Sequence, residues 1–119
     1  MDFETIITNI MRLRGEIHEK NIWEDPIRLS DVMVKLEVYN NYLSDHIAPL
    51  HKIATDTAFR VFREHESKGA TKAQMYAKGQ STEAREVYEK AKTLYAATSD
   101  LLSRMQSRIR VIENQLKGG

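Results

Sequence analysis

Six cations and one aromatic ring crowd the middle of this 119-residue chain: Arg60, Arg63, Lys68, Lys72, Lys78 and Arg85, with Tyr76 among them. Guanidinium and ammonium groups strung along a helix end and the segment after it can follow a phosphate backbone, and a tyrosine between them offers a face on which an unpaired base can stack. The competing reading is local. Arg60 and Arg63 pair with Asp56 and with Glu64 or Glu66, and Tyr76 packs on neighbouring helices.

Other chemistry finds less support. His18, His46, His51 and His65 are dispersed, and His46 and His51 are five apart, so they diverge on a helix where metal ligands want a spacing of three or four. Glu83, Glu86 and Glu89 recur every third position, but Arg85, Lys90 and Lys92 interleave with them, which describes a solvated helix face rather than an acid/base pair. No phosphate-cradling Gly-rich loop and no nucleophile elbow is present. The reading is therefore non-enzymatic, with no cofactor and no metal expected.

Charge is distributed unevenly. Residues 1–59 hold six Lys/Arg against ten Asp/Glu, and residues 60–119 hold twelve against seven, so a net charge of +1 hides an acidic half and a basic half. Such a split suits a nucleic-acid surface or head-to-tail complementarity between subunits. Composition sets outer bounds: 29% charged, 41% hydrophobic and two prolines describe a helical chain of one domain, 1–119, with little room for turns. Without cysteine there are no disulfides or thiolate metal sites, consistent with a cytoplasmic setting. No stretch approaches the roughly 20 apolar residues of a membrane span, and the acidic start Met1-Asp2-Phe3-Glu4 does not read as a signal peptide.

Three helical segments must position the basic cluster, and no strand is expected. Phe3, Ile6, Ile7, Ile10, Met11, Leu13 and Ile17 stripe a first helix over 1–21, fraying near Lys20 and Asn21. Residues 22–29, with Trp23 and Asp25-Pro26, read as a turn. A second helix over 30–67 carries Val32, Leu36, Tyr39, Leu43, Ile47, Leu50, Ile53, Ala54, Ala58, Val61 and Phe62. Its apolar period resumes in phase after Pro49, so a kink is expected there rather than two helices. Residues 68–81, bracketed by Gly69 and Gly79, lack a sustained apolar face and read as the loop that reverses the chain, with room for one or two helical turns.

The last helix, over 82–117, has a coiled-coil rhythm: Ala84, Val87, Tyr88, Ala91, Leu94, Tyr95, Leu101, Leu102, Met105, Ile109, Ile112 and Leu116, with Thr98 in the seam. At about 1.5 Å per residue it is roughly 50 Å long, more than a compact domain of this length spans. Leu94, Leu101, Leu102, Met105, Ile109, Ile112 and Leu116 are therefore expected to bury against neighbouring subunits. Arg104, Arg108 and Arg110 on the flanks of that seam suit interhelical salt bridges. Ser81 is placed to cap the helix start and Lys117 to suit its end.

The order of segments carries a resemblance. Asp25-Pro-Ile-Arg-Leu29, Tyr39-Asn-Asn-Tyr-Leu43, Ala58-Phe-Arg-Val-Phe-Arg63, a Ser-Lys-Gly loop and a long helix closing in Ile-Arg-Val-Ile-Glu113 resemble the small phage recombination mediators of the UvsY-like family, over roughly residues 24–115. The resemblance implies an all-helical, ring-like homo-oligomer that binds single-stranded DNA and helps a RecA-like recombinase displace the single-strand-binding protein. A phage origin would place it in the cytoplasm of an infected bacterium. By position Arg60 matches the basic element on the family's second helix, with Arg63 close by and Phe62 between them. The expected protein is thus an all-α helical hairpin that oligomerises through its C-terminal helix and mediates recombination. The alternative is a structural or adaptor coiled-coil protein, such as a virion component or a chaperone, whose basic half neutralises a neighbour's acidic half.

Overall fold

The computed structural model describes residues 1–19 and 22–118, and among them every regular element is helical. The α-helices are α1 (Phe3–Ile17), α2 (Pro26–His65), α3 (Ala70–Gln80) and α4 (Thr82–Gly118), with 3₁₀ turns at Ile22–Glu24 and Glu66–Lys68. The described residues divide into two compact units, Met1–Ser44 with Leu94–Gly119 and Asp45–Thr93, where composition alone suggested one domain.

In the first unit, α1 begins where the Asp2 carboxylate accepts the Thr5 amide at 2.8 Å, satisfying one of the free amides of the first turn. That bond, with the Thr5 hydroxyl, holds the Asp2 carboxyl below its ordinary range. α1 ends at Ile17, short of the expected boundary; the fraying expected at Lys20 and Asn21 lies outside the described residues. The buried side chains come from three helices: Ile6, Ile10, Leu13 and Ile17 from α1, Leu29, Val32, Leu36 and Leu43 from α2, and Leu101, Met105 and Ile112 from α4, with Ile22 from the 3₁₀ turn. Each such side chain stabilises the fold by about 1.5–3 kcal/mol relative to exposure.

That core corrects the reading of the C-terminal seam. α4 is one unbroken helix, as its periodicity predicts, but Leu101, Met105 and Ile112 are covered by the chain itself, and Leu94, Leu102 and Ile109 are half-buried. Only Leu116, 75% exposed, is left open. The heptad-like stripe finds its partners within one chain, so it does not by itself require neighbouring subunits.

The segment 22–29 is likewise more ordered than a turn. Asp25 accepts the amides of Ile27 and Arg28 at 3.1 and 3.2 Å, and Pro26 takes the first helical position, where a missing amide costs nothing. α2 therefore starts four residues before the boundary expected at residue 30. It continues through Pro49 to His65 as a single helix.

In the second unit, the expected loop 68–81 is largely helix α3. Gly69 enters it with φ 100°, a conformation side-chain-bearing residues rarely adopt, and the buried face consists of Ala73 and Ala77. Two small residues four apart produce almost no hydrophobic periodicity, which is why the segment reads as loop. Ser81 also plays a different part from the one expected. Its hydroxyl donates backwards to the Ala77 carbonyl at 2.7 Å, closing α3 rather than capping α4.

Candidate nucleic-acid interface

All seven residues singled out for nucleic-acid contact fall in the second unit, on α2, α3, α4 and the 3₁₀ turn between α2 and α3. They form three groups, the third being Lys78 with Arg85 where α3 meets α4. On α2, Arg60 and Arg63 border a shallow surface with Asp56, Phe59 and Glu64. Around the start of α3, Lys68, Lys72, Met75 and Tyr76 line a second hollow.

The α2 group is loosely held. Arg60 reaches Glu64 at 3.4 Å, with both side chains largely in water, so the pair contributes little. The Lys52 ammonium sits 2.6 Å from Asp56, which engages the other carboxylate expected to hold these arginines. Arg63 makes no ion pair among the described residues; its guanidinium lies 5.4 Å from the centre of the Phe59 ring. Phe59 is 62% exposed. The ring has one face toward the Arg63 guanidinium and is otherwise largely in water, so burying it would release most of its apolar contribution.

Tyr76 is more committed. The His65 ring stacks on it with centroids 4.2 Å apart and planes 17° from parallel, and the Lys68 ammonium lies 5.0 Å over the same ring. This stack ties α3 to the end of α2 and places Lys68 and Lys72 together, with Met75 70% exposed beside them. The tyrosine expected to stack on a base therefore already has one face occupied by histidine. The Lys68 ammonium is the one cation seated over the ring.

Lys78 and Arg85 lie at the α3–α4 junction. Arg85 donates through Nη2 to the Lys78 carbonyl at 2.9 Å, and Thr82 donates its hydroxyl to the same oxygen at 2.8 Å. Both bond the one Lys78 carbonyl, among those that the end of α3 leaves without helical partners. Arg85 is thus partly withdrawn from solvent chemistry, while the Lys78 ammonium makes no ion pair among the described residues.

Sequence reasoning passed over Phe59. The signal was its phase: on α2 it falls with Asp56, Arg60 and Arg63 on the face opposite buried Ala54 and Val61, so a large apolar residue occupies a polar stripe. Of the second basic cluster, Arg108 is built into the first unit instead, while Arg104 stays on its surface. Arg108 bonds the backbone of Trp23 and the Glu24 carboxylate, and Arg104 faces Asp100 at 3.5 Å.

Among the described residues no group of three or more His, Asp or Glu is placed to hold a metal ion, and no helix is long and apolar enough to cross a membrane. His51 packs its ring against Tyr88, with centroids 4.8 Å apart. Comparison with known proteins gives no match to any family model, curated protein or solved structure.

Proposed function

We propose that this chain is a non-enzymatic, homo-oligomeric single-stranded-DNA-binding protein that acts as a recombination mediator. The observation that carries the reading is the exposed Phe59 flanked by Arg60 and Arg63, with Lys68 and Lys72 in the same unit. Single-strand binders combine cations that track phosphates with aromatic faces that accept any base. A duplex keeps its bases stacked inside, so a protruding phenyl ring gains nothing from it; the preference is for unpaired strands.

The mediator role, with a RecA-like recombinase and a single-strand-binding protein as partners, rests on the resemblance in segment order to the UvsY-like family. Several copies of a weak site on one assembly convert modest contacts into useful affinity, because the later contacts are intramolecular. Self-association uses the outer face of α2 in the first unit, where Ile27, Val34, Val38 and Tyr42 follow one another in steps of seven, four and four and are all exposed, Ile27 by 81%. A sustained apolar stripe of that kind marks an interaction surface. The same stripe favours the second reading, a structural or adaptor helical protein, in which α2 binds a partner helix and the basic residues only balance charge.

A titration of labelled single-stranded DNA beside duplex of the same length, at low and then rising salt, separates the two. Tighter, salt-sensitive binding of the single strand is the expected result. No measurable affinity at low salt for the intact protein leaves the structural reading in its place.

A further inference from the structure

The first unit contains a cavity of about 390 Å³, whose wall includes Arg14, His18, Trp23, Asp100, Leu101 and Arg104. That volume lies at the small end of the roughly 300–1,000 Å³ typical of small-ligand sites. Its charges are unusual for a fold contact. Arg14, half-buried in the last turn of α1, makes no ion pair among the described residues; its neighbour Glu16 is engaged by Arg12 at 3.0 Å. Arg104 has only the long, exposed contact with Asp100 one turn earlier on its own helix. Two arginines therefore line one cavity together with a single loosely held carboxylate.

The aromatic wall is held in place deliberately. Trp23 sits in the 3₁₀ turn Ile22–Glu24, which is anchored by fully buried Ile22 and by the Arg108 Nε donating to the Trp23 carbonyl at 3.1 Å. Its indole is half-buried, and buried Leu101 and Ile17 supply an apolar floor. Planar guanidinium forks match phosphate oxygens in pairs, and an indole offers the broadest stacking face of any side chain. The ligand that satisfies both features at once is flat at one end and doubly anionic at the other.

We propose that this cavity binds a nucleoside monophosphate unit, its phosphate between Arg14 and Arg104 and its base against Trp23, with the Asp100 carboxylate the one charge that opposes the phosphate. The site uses none of the residues of the second unit, so it stands or falls separately from the single-strand reading. Its source is either a free mononucleotide or the 5′-phosphorylated end of a strand.

Trp23 is the only tryptophan of the chain, so its fluorescence reports on this cavity alone. Titration of the full chain with 2′-deoxyadenosine 5′-monophosphate is expected to quench it saturably, with deoxyadenosine at equal absorbance at least about tenfold weaker and inorganic phosphate competing. Arg14→Gln is expected to weaken the nucleotide by about tenfold with an unchanged thermal melt. Asp100→Asn, on an exposed position, is expected to tighten it by removing the one negative charge, an opposite sign that a general loss of structure cannot produce. Arg60→Ala with Arg63→Ala leaves the response intact.

Absence of saturable quenching overturns the proposal. So does equal affinity for nucleotide and nucleoside, an unaffected Arg14→Gln protein, or weakening by Asp100→Asn. Comparing 5′-phosphorylated with 5′-hydroxyl oligonucleotides then assigns the source: selective quenching by the phosphorylated strand supports a strand end, and a response to the mononucleotide alone supports a free nucleotide.

Discussion

Arg108 donates its Nε hydrogen to the backbone carbonyl of Trp23 at 3.1 Å across 85 positions of sequence, while its Nη2 reaches the Glu24 carboxylate at 2.7 Å. A 3₁₀ turn of three residues has few internal hydrogen bonds to hold it, so its position on the first unit depends on Ile22 and on this one side chain of α4. The same arginine looked on sequence grounds like a contact to a neighbouring subunit. Its bonds are spent within the chain.

Replacing Arg108 with Ala should therefore act on stability and on Trp23 together. Loss of a charge-assisted bond to a backbone carbonyl costs about 1.5–3 kcal/mol, and thermal melting followed by circular dichroism should move down accordingly. Trp23 emission should shift to the red as the turn loosens. Glu24→Gln removes only the exposed half of the interaction and should cost less than about 1 kcal/mol. If the two variants melt alike, the carbonyl bond is not what holds the turn.

Thr98 is fully buried in the first unit with a hydroxyl that has no hydrogen-bond partner. A buried, unpaired hydroxyl carries its desolvation cost without return, and a methyl group of nearly the same shape removes it. Thr98→Val should raise stability by about 1 kcal/mol in a denaturant titration, with an unchanged slope against denaturant. Destabilisation instead would mean that the hydroxyl is satisfied in solution.

How far the sequence discloses this molecule depends on what its periodicity can encode. α4 and most of α2 are legible because large apolar residues recur at helical spacing. α3 is not, since Ala73 and Ala77 bury a helix face without raising hydrophobicity and Gly79 argues against helix. The start of α2 was legible in principle: Asp25 followed by Pro26 is the signature of a capped helix with proline at its first position as much as of a turn. The seam of α4 shows a different limit, because a stripe records that a face is covered and not by whose side chains. At the basic site, the residue types announced cations, but the exposure of Phe59 and the capture of Tyr76 by His65 are facts of packing that spacing does not contain.

The assembly surface follows from that distinction. Met105 is fully buried within the chain, so Met105→Ala should cost about 2–5 kcal/mol of stability and leave subunit number unchanged in the molecules that remain folded. Val38 is exposed on the outer face of α2. Val38→Asp should leave the helical circular-dichroism signal intact and reduce the mass measured by light scattering, because a charge placed in an apolar contact must be desolvated without a partner. Wild-type protein that is monomeric at micromolar concentration would remove self-association from the proposal, and an assembly unaffected by Val38→Asp would move it to another face.

The single-strand interface makes the most discriminating demand, since its two kinds of contact respond differently to salt. Each phosphate neutralised on a single strand contributes about 0.7 to the slope of log affinity against log salt, so Arg60→Ala with Arg63→Ala should flatten that slope by roughly 1 to 1.5 and weaken binding at low salt. Phe59→Ala releases no ion and should leave the slope alone while costing about 1–3 kcal/mol of affinity if a base stacks on the ring; Phe59→Trp should recover that loss. Tyr76→Ala should act indirectly, by freeing His65 and loosening Lys68 and Lys72, and so should lower both affinity and slope. The ordering separates a stacking platform from a bare basic patch. Should Phe59→Ala bind as wild type while the double arginine variant fails, the contact is with phosphates alone, and discrimination between single and double strands must then arise elsewhere in the assembly.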